Sequence, residues 1–380
     1  MSQDLRLPLG ARAPRIRRAD AMAVSIPLRK PMRMAGVRLT HAENLLVRIE
    51  AEDGSVGWGE AASAPTMTGD LQGSMLTAAT QVFCPLLGGQ NPLDRVGLMT
   101  RVDRAMLRNT GAKCAVEEAL LDLCGRLLKV PVYELLGGAR RDVVRPMHLL
   151  GNDSVEDDVD EAKARRADGV DFFKIKVGVK PLSEEVRSTR LLREALGWDV
   201  VLCADGNMGL DAQDVLDYCA QVADQKLLFL EQPLRSDDLR GMARLAARVS
   251  IPMCADESVG SAADVMALAE AQAVAGVNLK TIKFGGLSAV VHASHLCEQL
   301  GLHINLACKV GESSIGCAGL AQLGAVMCNL DWGINLTNHY LADDLVVTPL
   351  LPTGGALAIP SGPGLGIEVD EAKIDRYRVR

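Results

Sequence analysis

The sequence predicts an α/β fold, a (β/α)8-type (modified TIM) barrel with an N-terminal α+β capping domain that the C-terminal segment completes. Three observations predict it. Charged residues close successive apolar runs at a steady interval: Lys176, Asp205, Glu231, Asp256 and Lys280 stand 29, 26, 25 and 24 residues apart. Amphipathic stretches at 212–222 and 262–271 fill gaps between the runs and read as helices. The first third of the chain follows another pattern, short strands and then helices. One unit of such a barrel takes about 30 residues, and its chemistry gathers at the C-terminal ends of its strands. The interval therefore sets three carboxylates between two lysines round one mouth.

Taken in order, residues 1–13 read as a frayed tail, arginine-bearing and broken by Pro and Gly. Strands follow at 21–27 and 44–50, then a turn at Asp53-Gly54 and a strand at 56–58. Ala112, Val116, Leu120, Leu123 and Leu127 recur at helical spacing, and Gly137-Gly138 stops the last helix of this part. The capping domain is accordingly set at 1–139 and the barrel at 140–335. Residues 336–380 leave the alternation and are punctuated by Pro349, Pro352, Pro360 and Pro363; they are expected to return to the cap.

Each barrel strand carries its own signal. Val200 to Ala204 runs into Asp205-Gly206-Asn207, Leu227 to Leu230 into Glu231-Gln232-Pro233, and Ile251 to Ala255 into Asp256-Glu257-Ser258. Runs this short and this apolar are strands buried on both faces. In Phe172-Phe173-Lys174-Ile175-Lys176-Val177 the alternation puts Lys174 and Lys176 on one face, towards the interior. By the same rule Asn278 and Lys280 share a face, with Lys283 out of phase and nearer the loop. Lys309 shares parity with Asn305 and Ala307 and is read as ending the eighth strand, where it faces the mouth.

Composition narrows the function. A net charge of −7 and 3% aromatic residues oppose nucleic-acid binding, and no run of about 18 apolar residues offers a membrane span. The ten cysteines are scattered without a C-x-x-C pair and read as reduced, so a cytoplasmic protein acting on a small molecule is expected. Three carboxylates without histidine or cysteine favour a hard cation such as Mg²⁺, with Mn²⁺ as the alternative. A lysine has a pKa of about 10.4, so a lysine base at neutral pH needs burial or neighbouring positive charge to lower it. Lys174 beside Lys176, and the cation near Lys280, supply that charge. Two lysines flanking a bound carboxylate can take a proton from carbon on one side and return one on the other.

These residues resemble a known group. Lys-x-Lys at 174–176, Asp-x-Asn at 205–207, Glu-Gln-Pro at 231–233, Ala-Asp-Glu-Ser at 255–258 and Asn-x-Lys-x-x-Lys-x-Gly-Gly at 278–286 are similar to the enolase superfamily, muconate-lactonizing-enzyme subgroup. Gly57-Trp58-Gly59-Glu60-Ala61, Leu135-Leu136-Gly137-Gly138 and Pro363-Gly364-Leu365-Gly366 extend the likeness over nearly the whole chain. It implies Asp205, Glu231 and Asp256 as metal ligands, Lys176 and Lys280 as the acid/base pair, and Lys174 as the lysine that tunes Lys176. It also implies two lid loops, matched by 30–36 and 63–69, and a homo-oligomer. The expected activity is proton abstraction α to a carboxylate through an enediolate, giving cycloisomerisation, racemisation or epimerisation of a small acid. Acid dehydration is the alternative outcome. Substrate contacts are assigned to Lys309, Asn207, Glu312 and Arg33. Dipeptide epimerases of the subgroup carry Asp-x-Asp where this chain has Asn335-Leu336-Thr337, and cycloisomerases carry glutamate where Asn335 stands.

Overall fold

The computed structural model describes residues 13–34 and 37–379, without the side chains of residues 33, 34 and 37. The expected tail thus lies outside the described residues but for its last position. Strands Ile16–Met34, Val37–Ala51 and Val56–Ala62 form an antiparallel sheet. The first runs past its expected end at Pro27 because the register slips between Pro27 and Met32, a bulge that accommodates the missing proline N–H.

The helix Thr110–Leu128 lies flat on this sheet. The close approach requires glycine beneath it: a Cβ on Gly57 would sit 2.5 Å from Leu123 N, and one on Gly59 would sit 2.6 Å from Ala119 N. Leu45, Val47, Ile49, Ala115, Val116 and Leu120 fill the seam as one core.

The barrel strands are His148–Leu150, Phe172–Lys176, Val201–Asp205, Leu230–Glu231, Met253–Ala255, Gly276–Leu279, His303–Ala307 and Ile334–Asn335. Each pairs in parallel with its neighbours in sequence. A parallel bridge from Pro146 to Ile334, with Met147 N donating to Ile334 O at 2.8 Å, closes the ring. Phe172, Cys203, Phe229, Cys254, Met147 and Trp332 plug its interior, with Phe229 and Trp332 stacked at 4.5 Å. With that end filled, the opposite end of the barrel interior is the one left open to a ligand.

The strand His303–Ala307 that precedes Lys309 is the seventh, which corrects the reading of Lys309 as the end of the eighth. The true eighth strand has two residues, too few to make an apolar run in the sequence. A 3-10 turn, Asn338–Tyr340, follows it in place of a full helix. The chain then crosses both parts of the molecule: Leu341 bridges to Leu28, Arg378 to Val24, and Leu357–Ala358 pairs with Val143–Val144. Gly364 O accepts from Val132 N at 2.8 Å. Among the described residues no helix is long and apolar enough to cross a membrane.

Candidate active site

The C-terminal strand ends surround a cavity of about 90 Å³. Lys174 and Lys176 come from the second strand, Asp205 and Asn207 from the third, and Glu231 from the fourth. Glu257 follows the fifth, Asn278 and Lys280 come from the sixth, and Lys309 follows the seventh. Ser63, Pro65, Thr66 and Met67 of the expected 63–69 lid form part of the wall, as does Leu39 of the other cap hairpin. The second and sixth strands stand four places apart in a ring of eight, so Lys176 and Lys280 enter from opposite sides.

Backbone register brings the carboxylates side by side, since Asp205 pairs directly with Glu231 and Glu231 with Cys254, two residues before Asp256. Each carboxylate is held by an ammonium group. Lys176 donates to Asp205 at 2.6 Å and also to Asn207 Oδ1. Lys174 donates to Glu231 and to Asn305 Oδ1 at 3.2 Å, and its ammonium lies 5.7 Å from the centre of the Phe229 ring. Asp256 is gripped from two sides, by Lys280 and by Lys283 at 2.6 Å.

These pairs decide the titration. Burial alone would lower Lys174 and Lys280, but the charges of Glu231 and Asp256 outweigh it and hold both above the usual lysine range. The expectation of a lowered Lys280 is therefore not met while its ammonium is paired. Asp256 is driven the other way: burial opposes its ionisation, but Lys280 and Lys283 keep it well below the usual carboxylate range. Lys283 and Lys309 are the lysines that come down. For Lys309, burial first and then the charge of Lys280 lower it to about 8.

Among the described residues no three Asp, Glu, His or Cys side chains converge closely enough to hold a metal as they stand. The donor set nevertheless suits one. Asp205, Glu231 and Asp256 are all-oxygen ligands on three consecutive strands, each turned towards a lysine that a divalent cation could replace. Asn278 Oδ1 and Glu257 Oε2 are buried acceptors without a hydrogen-bond partner, which adds oxygen lone pairs to the same wall.

The other assigned residues fall differently. Asn207 lies in the wall, its Nδ2 donating to Glu257 Oε1 at 3.2 Å. Glu312 is not in the cavity wall, a correction to its reading as a substrate contact. The turn after Lys309 carries it into the cap–barrel seam, where burial first, and then the charge of Glu60, push its carboxyl up to about 8. Arg33 and the tip of the 30–36 loop lie outside the described side chains.

Sequence reading also passed over Lys283. A one-turn helix, Thr281–Phe284, follows Lys280 and turns Lys283 inward to reach Asp256 O at 2.6 Å and Asn278 O at 2.8 Å. The three-residue spacing from Lys280 was the available signal, because on a helical turn it means neighbours.

A closed parallel barrel whose mouth gathers three strand-end carboxylates and opposed lysines beneath a cap defines an enzyme of the enolase type. The chain belongs to that superfamily. Residues 17–137 match the mandelate racemase / muconate lactonizing enzyme N-terminal domain, and residues 157–373 the enolase C-terminal domain-like family. Muconate cycloisomerase 1-2 of Acinetobacter lwoffii is 30% identical over 372 residues, 96% of this chain and 95% of that protein. L-Ala-D/L-Glu epimerase of Clostridium acetobutylicum is 30% identical over 351 residues, 91% of this chain and 96% of its own. The crystal structure of 2-chloromuconate cycloisomerase from Rhodococcus opacus 1CP superposes with a TM-score of 0.92 at 32% identity, covering 96% of this chain and all of that one. The chain is thus an isomerase of the enolase superfamily, whose members depend on a divalent metal ion.

Proposed function

We propose that this protein is an Mg²⁺-dependent isomerase that removes the proton α to the carboxylate of a small acid and returns a proton to the opposite face, a racemase or epimerase. The observation that carries the reading is the opposition of Lys176 and Lys280 on the second and sixth strands, with the carboxylates between them. Asp205, Glu231 and Asp256 would hold the cation, which supplies positive charge to the substrate carboxylate as the α-proton leaves. One lysine takes that proton at its Nζ as the free amine, and the other gives one up as the ammonium. Lys174 keeps its ammonium by its bond to Glu231, two residues from Lys176 along the same strand. Pro65 and Met67 form part of the cavity wall, where they would help to keep bulk water from the reacting carbon.

The cycloisomerase relatives support a second reading, in which one lysine exchanges protons with carbon and the other is electrostatic support. Both readings share one test. Small carboxylic acids are incubated with the enzyme and Mg²⁺ in D₂O, and loss of the α-proton signal is followed by NMR. Exchange that stops on chelation supports the reading; exchange that continues in chelator contradicts it.

A further inference from the structure

Lys309 differs from every other lysine at this mouth. Lys174, Lys176, Lys280 and Lys283 each have a carboxylate within 4.0 Å, and among the described residues Lys309 has none. Its backbone is pinned all the same: the Lys309 carbonyl accepts from Thr337 Oγ1 at 2.9 Å and from Glu312 N at 3.1 Å. The side chain therefore stands on a fixed base in the wall of the cavity, next to Ala307 and Val310. A largely buried ammonium without a counter-charge is costly, and Lys280 and Lys176 add repulsion to that cost.

The nearby carboxyl relieves it only in part. Glu312 follows three residues later but turns into the seam towards Glu60, and its Oε1 has no partner. Burial, and then the charge of Glu60, push the Glu312 carboxyl up to about 8, so it offsets the ammonium of Lys309 only in part. With no carboxylate in contact with it among the described residues, Lys309 is left to pair with an anion that enters the cavity.

We propose, building on the proton-transfer reading above, that Lys309 anchors a second anionic group of the substrate, so that the site selects small acids carrying two carboxylates. The first carboxylate faces Asp205, Glu231 and Asp256 through the cation they would hold, and the second faces Lys309. The same geometry excludes acids whose far end is an ammonium, as in a free dipeptide. Such a group would bring a like charge to the ammonium of Lys309.

The test is calorimetric binding, in Mg²⁺, of succinate, its monoamide succinamate and the zwitterion alanyl-alanine to the wild-type protein, Lys309→Met and Lys309→Arg. Wild type should bind succinate about ten- to a hundredfold more tightly than succinamate, the worth of one charge-assisted hydrogen bond. It should bind alanyl-alanine weakest. Lys309→Met should erase the preference for succinate while leaving succinamate binding unchanged and the melting temperature the same or higher, and Lys309→Arg should retain most of the preference. Equal wild-type affinity for succinate and succinamate overturns the proposal without any variant, and so does a preference that survives Lys309→Met. Deuterium exchange separates this from the underlying reading. If α-protons exchange but the preference is missing, the anchor alone fails. If the preference holds but no acid exchanges, the anchor stands and the proton-transfer reading fails.

Discussion

Replacing Glu60 by alanine should loosen the cap from the barrel, and the size of the effect follows from its bonds. Glu60 leaves the third cap strand and reaches the N-terminus of the barrel helix Ser314–Val326, where its Oε2 accepts from Ser313 N at 2.9 Å, Ser313 Oγ at 2.7 Å and Gly316 N at 2.9 Å. Its other oxygen accepts from Asn44 Nδ2 at 2.6 Å. In Glu60→Ala, Asn44 keeps its bond to Gly311 O at 2.7 Å and the Ser313 hydroxyl can turn, but the two backbone N–H groups stay buried without a partner. Each costs about 1–3 kcal/mol. Part is returned, because burial holds the Glu60 carboxyl above its ordinary pKa and the mutation removes that burden. The net expectation is a loss of roughly 2–4 kcal/mol, against about 1 kcal/mol for Glu60→Gln, which keeps an acceptor oxygen. Urea unfolding monitored by circular dichroism measures it, with the slope checked for a single transition. A Glu60→Ala variant within about 0.5 kcal/mol of wild type, the scatter of ordinary surface changes, would refute this account of the seam.

Two further predictions concern charge. Asp205→Asn, Glu231→Gln and Asp256→Asn should each weaken Mg²⁺ binding by calorimetry and abolish turnover while the barrel stays folded, since ligand charge holds the ion; unchanged affinity in all three would remove the site. Glu312→Gln should change how stability depends on pH. The folded protein raises this group from 4.5 to about 8, so it holds a proton that the unfolded chain has lost, and its stabilising contribution declines as pH climbs between those values. The variant should match wild type in melting temperature near the bottom of that window and exceed it near the top. A wild-type advantage at the top would show that folding does not raise the pKa of Glu312.

Much of this was legible in the sequence because strand geometry is rigid. A residue that closes a short apolar run in a parallel barrel has its direction set by two-residue alternation, and Lys174, Lys176, Asp205 and Glu231 all follow that rule. The rule loses force where strands end. Lys283 escaped it because a helical turn begins directly after Lys280, and Glu312 because a turn carries the chain from the mouth into the seam. The eighth strand was misnumbered because two residues carry no pattern. The ion pairs between lysines and carboxylates were also out of reach, since they join side chains across the ring. They set the pKa directions, and sequence spacing shows only which strand end a charge occupies.

The most direct test of the central claim, that Lys176 and Lys280 serve opposite faces of one carbon, is enantiomer-resolved exchange. For an acid that wild type racemises or epimerises, α-proton exchange in D₂O is followed by NMR for each stereoisomer separately. Lys280→Ala should abolish exchange of one isomer and leave some exchange of the other, and Lys176→Ala should do the reverse. Equal loss of both isomers in both variants would contradict the two-base account and leave one lysine as the sole base.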